Sequence, residues 1–311
     1  MAGQAKMSDR RTERQRRPRL SAEERARLLE EIAQVEAAAQ ARQTARRPPP
    51  DLAAERELRT ALTERIDAPL PRVIDLWSDL QPMSVDPRVL ERNLVITAAR
   101  TDPAHAAFDV LRTRLVQALG DNGWTRVAIT SPTPGCGKSF TAINLAITLS
   151  RYQTTRTVLC DLDLRAPGLA GYLGVTDARG TGDYLRGQIA SEEWLRTIGK
   201  NRLNIGRHLA IGLNGRREDY AAELLQSPQT ADILDRMEAE LSPDVVLFDL
   251  PPALAQDDVT AFRDRYDCVL LVVGGGTTRA AEVREAIRRI GEDKPVVGIV
   301  LNKAQIDGDI A

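Results

Sequence analysis

Short runs rich in Val, Ile and Leu recur along the second two thirds of the chain: Trp124–Thr130, Arg156–Asp161, Leu209–Leu213, Asp244–Asp249, Cys268–Val273 and Val296–Leu301. A strand covered on both faces reads as such an unbroken apolar run, because neither face meets water. Helical stretches separate the runs, one over 103–119 and one from the loop after Thr130 to about 151. Strands alternating with helices predict an α/β fold, with a doubly wound, mostly parallel sheet and helices on both faces.

The first part of the chain is patterned differently. Ser21-Ala-Glu-Glu24 has the form of a capping box, and Leu28, Leu29, Ile32 and Val35 follow at helical spacing. The predicted helix over 21–46 stops at Arg47-Pro48-Pro49-Pro50, since proline lacks the N–H and clashes with the preceding turn. A second helix is expected over 51–66. Residues 67–100 are punctuated by proline, with Val73, Ile74, Leu76 and Trp77 as a short apolar cluster. The division this suggests is a basic disordered tail over 1–20, a helical and Pro-rich extension over 21–85, and an α/β domain over 86–311.

Charge sharpens that division. The chain's 311 residues carry 43 basic and 44 acidic side chains, a net of −1. Residues 1–50 hold 12 of the basic and 7 of the acidic ones, which leaves 31 and 37 for the rest. The basic excess belongs to the tail, so the body is no globally basic nucleic-acid binder. No apolar stretch approaches the roughly 20 residues of a membrane span. Basic residues at the N-terminus lack the apolar segment of a secretory signal. Cys136, Cys160 and Cys268 are too few and too dispersed for a disulfide framework or zinc site, and a cytoplasmic setting is the simplest reading. His105 and His208 leave little room for histidine chemistry.

The strongest local signal is Ser131-Pro-Thr-Pro-Gly-Cys-Gly-Lys-Ser139, which follows a strand and opens a helix at Phe140. Successive backbone N–H groups in such a loop form an anion nest, and the helix N-terminus adds its dipole. Gly135 and Gly137 let the backbone approach a phosphate closely. Lys138 is expected on the β- and γ-phosphates of ATP, and the Ser139 hydroxyl on Mg²⁺. Pro132 stands where the strict motif asks for glycine. Cys136 reads either as a small filler or as a thiol activated at a helix N-terminus.

Carboxylates follow the later strands. Asp161 and Asp163 close Val158-Leu-Cys-Asp-Leu-Asp-Leu-Arg165, and strand alternation points the pair the same way. Two such acids beside a triphosphate suit Mg²⁺ binding and general-base work. Arg165 is placed to pair with one of them or with phosphate. Asp249 precedes Leu250-Pro-Pro252 at the end of its strand, the edge where open α/β sheets bind ligands. For each acid taken alone, a helix N-cap is the competing reading.

In combination, Gly137-Lys-Ser139, Asp161-Leu-Asp-Leu-Arg165 and Asp249-Leu-Pro-Pro252 resemble the ParA/MinD superclass of P-loop ATPases. Thr133 holds the slot of that superclass's signature lysine. Asp161-Leu-Asp-Leu-Arg-Ala-Pro-Gly-Leu169, Asp183-Tyr-Leu-Arg-Gly187, Ala222-Glu-Leu-Leu-Gln-Ser227, Asp249-Leu-Pro-Pro-Ala-Leu254 and Gly298-Ile-Val-Leu-Asn-Lys303 narrow the resemblance. They are similar to segments of the bacterial tyrosine kinases of capsule and exopolysaccharide synthesis (the CpsD/CapB/Wzc type), over roughly 93–305.

That resemblance implies a P-loop NTPase domain over 86–311, which binds ATP and Mg²⁺ and transfers the γ-phosphate to tyrosine. Lys138, Asp161, Asp163 and Asp249 become the catalytic candidates. Pro134, Gly135, Cys136, Gly137, Lys138, Ser139, Phe140, Arg165 and Asn302 become the nucleotide-contacting ones, with Asn302 near the adenine. Ser139, Asp161, Asp163 and Asp249 become the metal candidates. It also implies a membrane polysaccharide co-polymerase (Wzz-type) on a separate chain as partner, together with homo-oligomerisation. The tail reads either as a solvated arm or as a peripheral contact with the inner membrane face; no specific nucleic acid is expected.

The chain departs from the family in two places. No tyrosine follows Tyr266, so the usual C-terminal tyrosine cluster and its autophosphorylation are not expected. The ring-forming Glu-x-x-Arg-x-x-Arg helix appears as Ala106-x-x-Asp109-x-x-Arg112. Tyr152, Tyr172, Tyr184, Tyr220 and Tyr266 read as structural. The competing functions are a ParA/MinD-type positioning ATPase and a low-turnover nucleotide-bound scaffold.

Overall fold

The computed structural model of the chain describes residues 30, 33–34, 76–95, 103–152, 154–199, 201 and 205–304. Glu30, Ala33 and Gln34 are helical, in keeping with the helix expected over 21–46. The rest of that helix, the helix over 51–66, the tail over 1–20 and the Val73–Ile74 part of the apolar cluster lie outside the described residues.

In chain order the body runs α1 (Leu76–Asp79), β1 (Gln81–Met83), α2 (Pro87–Arg92), α3 (Pro103–Asn122), β2 (Arg126–Thr130), α4 (Lys138–Ser150) and β3 (Thr157–Asp161). It continues through α5 (Leu169–Leu173), α6 (Thr181–Leu185), α7 (Ser191–Trp194), β4 (Leu195–Ile198), β5 (Leu209–Gly212), α8 (Ala221–Gln226) and α9 (Pro228–Leu241). The last elements are β6 (Val245–Asp249), α10 (Asp258–Ala261), a 3₁₀ turn at Arg263–Arg265, β7 (Cys268–Gly274), α11 (Ala280–Ile290) and β8 (Val296–Asn302).

The strands form one sheet in the order β1-β4-β5-β3-β6-β2-β7-β8. From β5 to β8 every pairing is parallel. At the other end β4 runs antiparallel to β5, and β1 joins β4 in parallel. Side chains alternate across the sheet and build two cores. Val158, Cys160, Val246 and Phe248 face one side, with Met237 of α9 and Val283 of α11. Leu159, Leu247, Val127 and Ile129 face the other, with Ile143 and Ile147 of α4. This is the doubly wound arrangement that the unbroken apolar runs predict, and every run is a strand.

Two strands lay outside the expectation. Gln81–Met83 and Leu195–Ile198 add an edge ladder beyond β5. Residues 76–83, placed in the extension by the sequence, pack with the body: Gln81–Met83 is a strand of the sheet and Leu76–Asp79 a helix before it. Trp77 is buried there: its indole Nε1–H donates to the Leu241 carbonyl at 2.7 Å, and the Arg156 guanidinium lies over its ring.

The strand order carries β3, β6 and β2 side by side. Their carboxyl ends share one edge of the sheet, where the chain on either side of β2 leaves in opposite directions. A crevice at that switch point is where open α/β sheets hold ligands.

Candidate functional site

The loop Ser131–Gly137 leaves β2 at this edge and turns into α4. Gly135 and Gly137 have φ of 81° and 95°, the left-handed region that favours glycine. A Cβ on Gly137 would also collide with the side-chain amide of Asn302. Pro134 and Gly135 are exposed at the loop tip, whereas Thr141 to Ser150 of α4 are buried. The loop therefore opens to solvent on a helix anchored in the core.

Neighbouring segments brace the loop. The Ala253 N–H donates to the Ser131 carbonyl at 2.8 Å, and the Thr130 hydroxyl to the Pro251 carbonyl at 2.6 Å. Asn302 Nδ2 donates to the Cys136 carbonyl at 2.9 Å, and Lys303 Nζ to the Gly135 carbonyl at 2.7 Å. The Cys136 thiol is buried, 3.1 Å from the Thr133 carbonyl and 3.3 Å from the Thr278 hydroxyl. That environment fits the filler reading of Cys136. Phe140 packs edge-on against Phe108 of α3. Among the described residues Cys136, Cys160 and Cys268 are all unpaired and buried.

The acids converge beside the loop. Asp161 and Asp249 are register partners on adjacent strands β3 and β6, and both are fully buried. Asp163, two residues past Asp161, takes Lys138 Nζ on Oδ2 at 2.6 Å. The same ammonium lies 3.5 Å from Asp249 Oδ1 and 3.2 Å from the Ser139 hydroxyl. Lys138, Ser139, Asp161, Asp163 and Asp249 thus form one cluster, as the motif spacing predicts.

Burial pulls the Lys138 ammonium down, but Asp249, Asp163 and Asp161 outweigh it and push its pKa up to about 12. Asp161 is held well above the usual carboxylate range, by burial first and then by the charge of Asp249. Burial also raises Asp249, against the lowering effects of Lys138 and the Ser139 hydroxyl. Both directions follow from several charges sharing a dry site.

Two carboxylate oxygens in this cluster, Asp161 Oδ1 and Asp249 Oδ2, are buried without a partner. Such atoms are costly unless something binds them. Among the described residues no three His, Cys, Asp or Glu side chains are grouped to hold a metal unaided. Mg²⁺ does not require that, because it takes one or two carboxylates, a hydroxyl, waters and phosphate oxygens. The donor set of Ser139, Asp161 and Asp249 fits Mg²⁺ delivered with a nucleotide.

Arg165 was expected to pair with Asp161 or Asp163 or with phosphate, and it does not pair with either acid. Its guanidinium instead forks onto Asp258, Nε to Oδ2 at 2.8 Å and Nη2 to Oδ1 at 3.0 Å. Arg112 turns back onto Asp109 and lies over the Tyr152 ring at 4.5 Å. The tyrosines divide. Tyr184 and Tyr266 are buried, whereas Tyr152 and Tyr220 are 45 % and 72 % exposed, so those two are not core residues. Tyr172 is near enough to the site that, after burial, the Asp249 charge raises its pKa and Lys138 lowers it.

Thr278, Lys303, Tyr172 and Asp258 were not readable as site residues. Thr278 and Lys303 reach the loop, and Asp258 reaches Arg165, across large sequence separations. Lys303 alone carried a local mark, a basic residue directly after Asn302.

The CobQ/CobB/MinD/ParA nucleotide-binding domain matches residues 127–309. The chain belongs to that family. The EpsB protein of Ralstonia nicotianae, named among the tyrosine-protein kinases, is 31 % identical over 252 residues, which are 79 % of this chain and 31 % of EpsB. The succinoglycan biosynthesis transport protein ExoP of Rhizobium meliloti is 30 % identical over 182 residues, 58 % of this chain and 22 % of ExoP. The solved BceF tyrosine kinase domain is 28 % identical with a TM-score of 0.57, covering 71 % of this chain and 90 % of that domain. Within the family the chain is therefore similar to bacterial tyrosine-kinase domains, as its motifs imply. It spans less than a third of EpsB and of ExoP.

Proposed function

We propose that this chain is an ATP-dependent phosphotransferase of the tyrosine-kinase type, serving exopolysaccharide or capsule synthesis and export. The observation that carries this reading is the gathering of Asp161, Asp163 and Asp249 around Lys138 at the phosphate loop. The backbone N–H groups of Gly135 to Ser139 cradle phosphate oxygens. Lys138 exchanges its carboxylate partners for the β- and γ-phosphates. Ser139, Asp161 and Asp249 would hold Mg²⁺, which when bound would supply charge neutralisation at the transferring phosphoryl group. Asp163 accepts the proton of the attacking hydroxyl at its carboxylate. Asn302 would lie toward the adenine, and Phe140 keeps the first turn of α4 in place against Phe108. Catalysis of this kind is mostly positioning and charge neutralisation.

The polysaccharide role rests on the likeness to ExoP, a succinoglycan biosynthesis transport protein by name. No helix among the described residues is long and apolar enough to cross a membrane. We propose a membrane polysaccharide co-polymerase as its partner and the cytoplasmic face of the inner membrane as its place of action. The basic residues before position 20 supply a peripheral contact there, worth about 1 kcal/mol each near anionic lipid. Contacts between copies are proposed as part of the same assembly.

The test is to incubate the full chain with ATP and Mg²⁺, with and without the cytoplasmic segment of a co-polymerase. Released phosphate and phosphotyrosine are both measured. Phosphotyrosine that disappears in Lys138→Met is the expected result. ATP-dependent dimerisation with liposome binding and no phosphotyrosine would point to a positioning ATPase, and bound nucleotide without turnover to a scaffold.

A further inference from the structure

Asp258 is the first residue of the short helix α10, directly after the N-cap Asp257. Here its two oxygens both accept from Arg165, at 2.8 and 3.0 Å. The Asp258 side chain is 1 % exposed and Arg165 is 31 % exposed, so the carboxylate is the buried half of the pair. A planar guanidinium forked onto a carboxylate fixes direction as well as distance.

Arg165 lies two residues beyond Asp163. The intervening stretch is fastened at every step: Leu162 N–H to the Asp249 carbonyl at 2.9 Å, Glu218 N–H to the Leu164 carbonyl at 2.9 Å, and Ala166 N–H to Asp163 Oδ1 at 2.9 Å. Arg165 Nη1 also reaches the Asp219 carbonyl at 3.4 Å. Three segments that leave the sheet edge after β3, β5 and β6 therefore meet at one guanidinium. Asp163 itself lies past the end of β3, where no strand ladder holds it.

We propose that Asp258 is a positioning residue: through Arg165 it fixes the turn at 162–166 and with it the placement of the Asp163 carboxylate. This deepens the phosphotransfer reading and rests on it for its effect on rate. A buried ion pair gives little net stability against an apolar replacement, so its use here is orientation. Loosening it leaves the phosphate loop intact and displaces only the acid that must meet the acceptor hydroxyl.

The test uses the full chain carrying Asp258→Asn, which keeps the shape and loses the charge, and separately Arg165→Lys, which keeps the charge and loses the fork. In Asp258→Asn ATP affinity and KM are expected within twofold of wild type, and in both variants kcat for phosphate release falls at least tenfold. The double variant Asp258→Asn with Arg165→Lys should lose no more than the worse single variant. Amide exchange at Leu162 and Ala166 should quicken at least tenfold in Asp258→Asn, with the strand amides of β2 and β6 unchanged. Unchanged exchange at those two amides overturns the proposal, as does a kcat within twofold of wild type. A wild-type chain that releases no phosphate and forms no phosphotyrosine defeats the kinase reading instead, and the exchange measurement still decides the role of Asp258.

Discussion

Asp161 and Asp249 sit directly across from one another on neighbouring parallel strands, fully buried, each with one carboxylate oxygen that accepts no hydrogen bond. Two like charges in a dry site are tolerable because the Lys138 ammonium stands beside them, and they are more than the fold itself needs. A pair of this kind makes the nucleotide-free protein less stable than its sheet would otherwise be, and a bound cation reverses that. The stability of the empty protein is therefore a direct probe of the site.

Both carboxyls are raised above their ordinary value of 3.8 in the folded state. Between the unfolded and folded values the native chain holds more protons, so stability is greatest below the unfolded value and falls as pH rises through each folded one. Asp161→Asn removes one charge and keeps an oxygen for the Leu169 N–H, which donates to Asp161 Oδ2 at 3.2 Å. At neutral pH the nucleotide-free variant should melt above wild type, by about 2–4 °C for each kcal/mol relieved, since it removes one of two neighbouring buried like charges. Its stability should also fall less steeply with rising pH. A melting curve with the wild-type pH slope would refute this account.

Lys138→Met acts in the opposite direction. The lysine is held charged with a pKa near 12, so its stabilising effect is complete below the unfolded value of 10.5 and is lost only as pH climbs through the folded one. Across pH 5 to 9 its loss should therefore lower stability, leaving three acids without their cation. Phosphate release should drop by about 10²–10³-fold, the scale seen when a charge-stabilising group is removed. Calorimetry and a phosphate assay at matched pH check the two halves separately.

Gly137→Ala should abolish ATP binding. The substitution puts a Cβ at a φ of 95° and drives it into the Asn302 amide, which itself donates to Cys136. Strain at such a position costs about 1–3 kcal/mol. Gly135→Ala meets no atom within 4 Å, so only the backbone penalty applies and it should be the milder of the two. Titration with a fluorescent nucleotide ranks them; equal affinities would contradict the role given to Asn302.

Removal of residues 1–20 should leave ATP affinity within twofold of wild type and weaken binding to anionic vesicles in a salt-dependent way. A loss of nucleotide affinity in that truncation would undo the separation of tail from catalytic body.

The fold and the heart of the site were legible because their signals are local. Val245–Asp249 is an apolar run ending in an acid, and Gly137-Lys-Ser139 opens a helix straight after a strand. The edge strands were not legible for physical reasons. Gln81-Pro82-Met83 is three residues long, contains proline and buries only Met83. Leu195–Ile198 carries Arg196 and Thr197 between its two buried ends. Neither resembles a strand until its partner is in place. Arg165 was read toward the nearest acids in sequence or toward phosphate, whereas its carboxylate partner is 93 residues away.

The Trp77 indole, bonded to the Leu241 carbonyl, has a practical consequence for anyone cutting this chain. A fragment beginning at residue 86 would remove β1 and leave the outer backbone of β4 bare, a template for sheet-to-sheet aggregation. It would also strip the indole cover from the end of α9. A fragment that starts ahead of Leu76 keeps both, so an insoluble short version of this protein would report a mis-set cut site and nothing about its nucleotide chemistry.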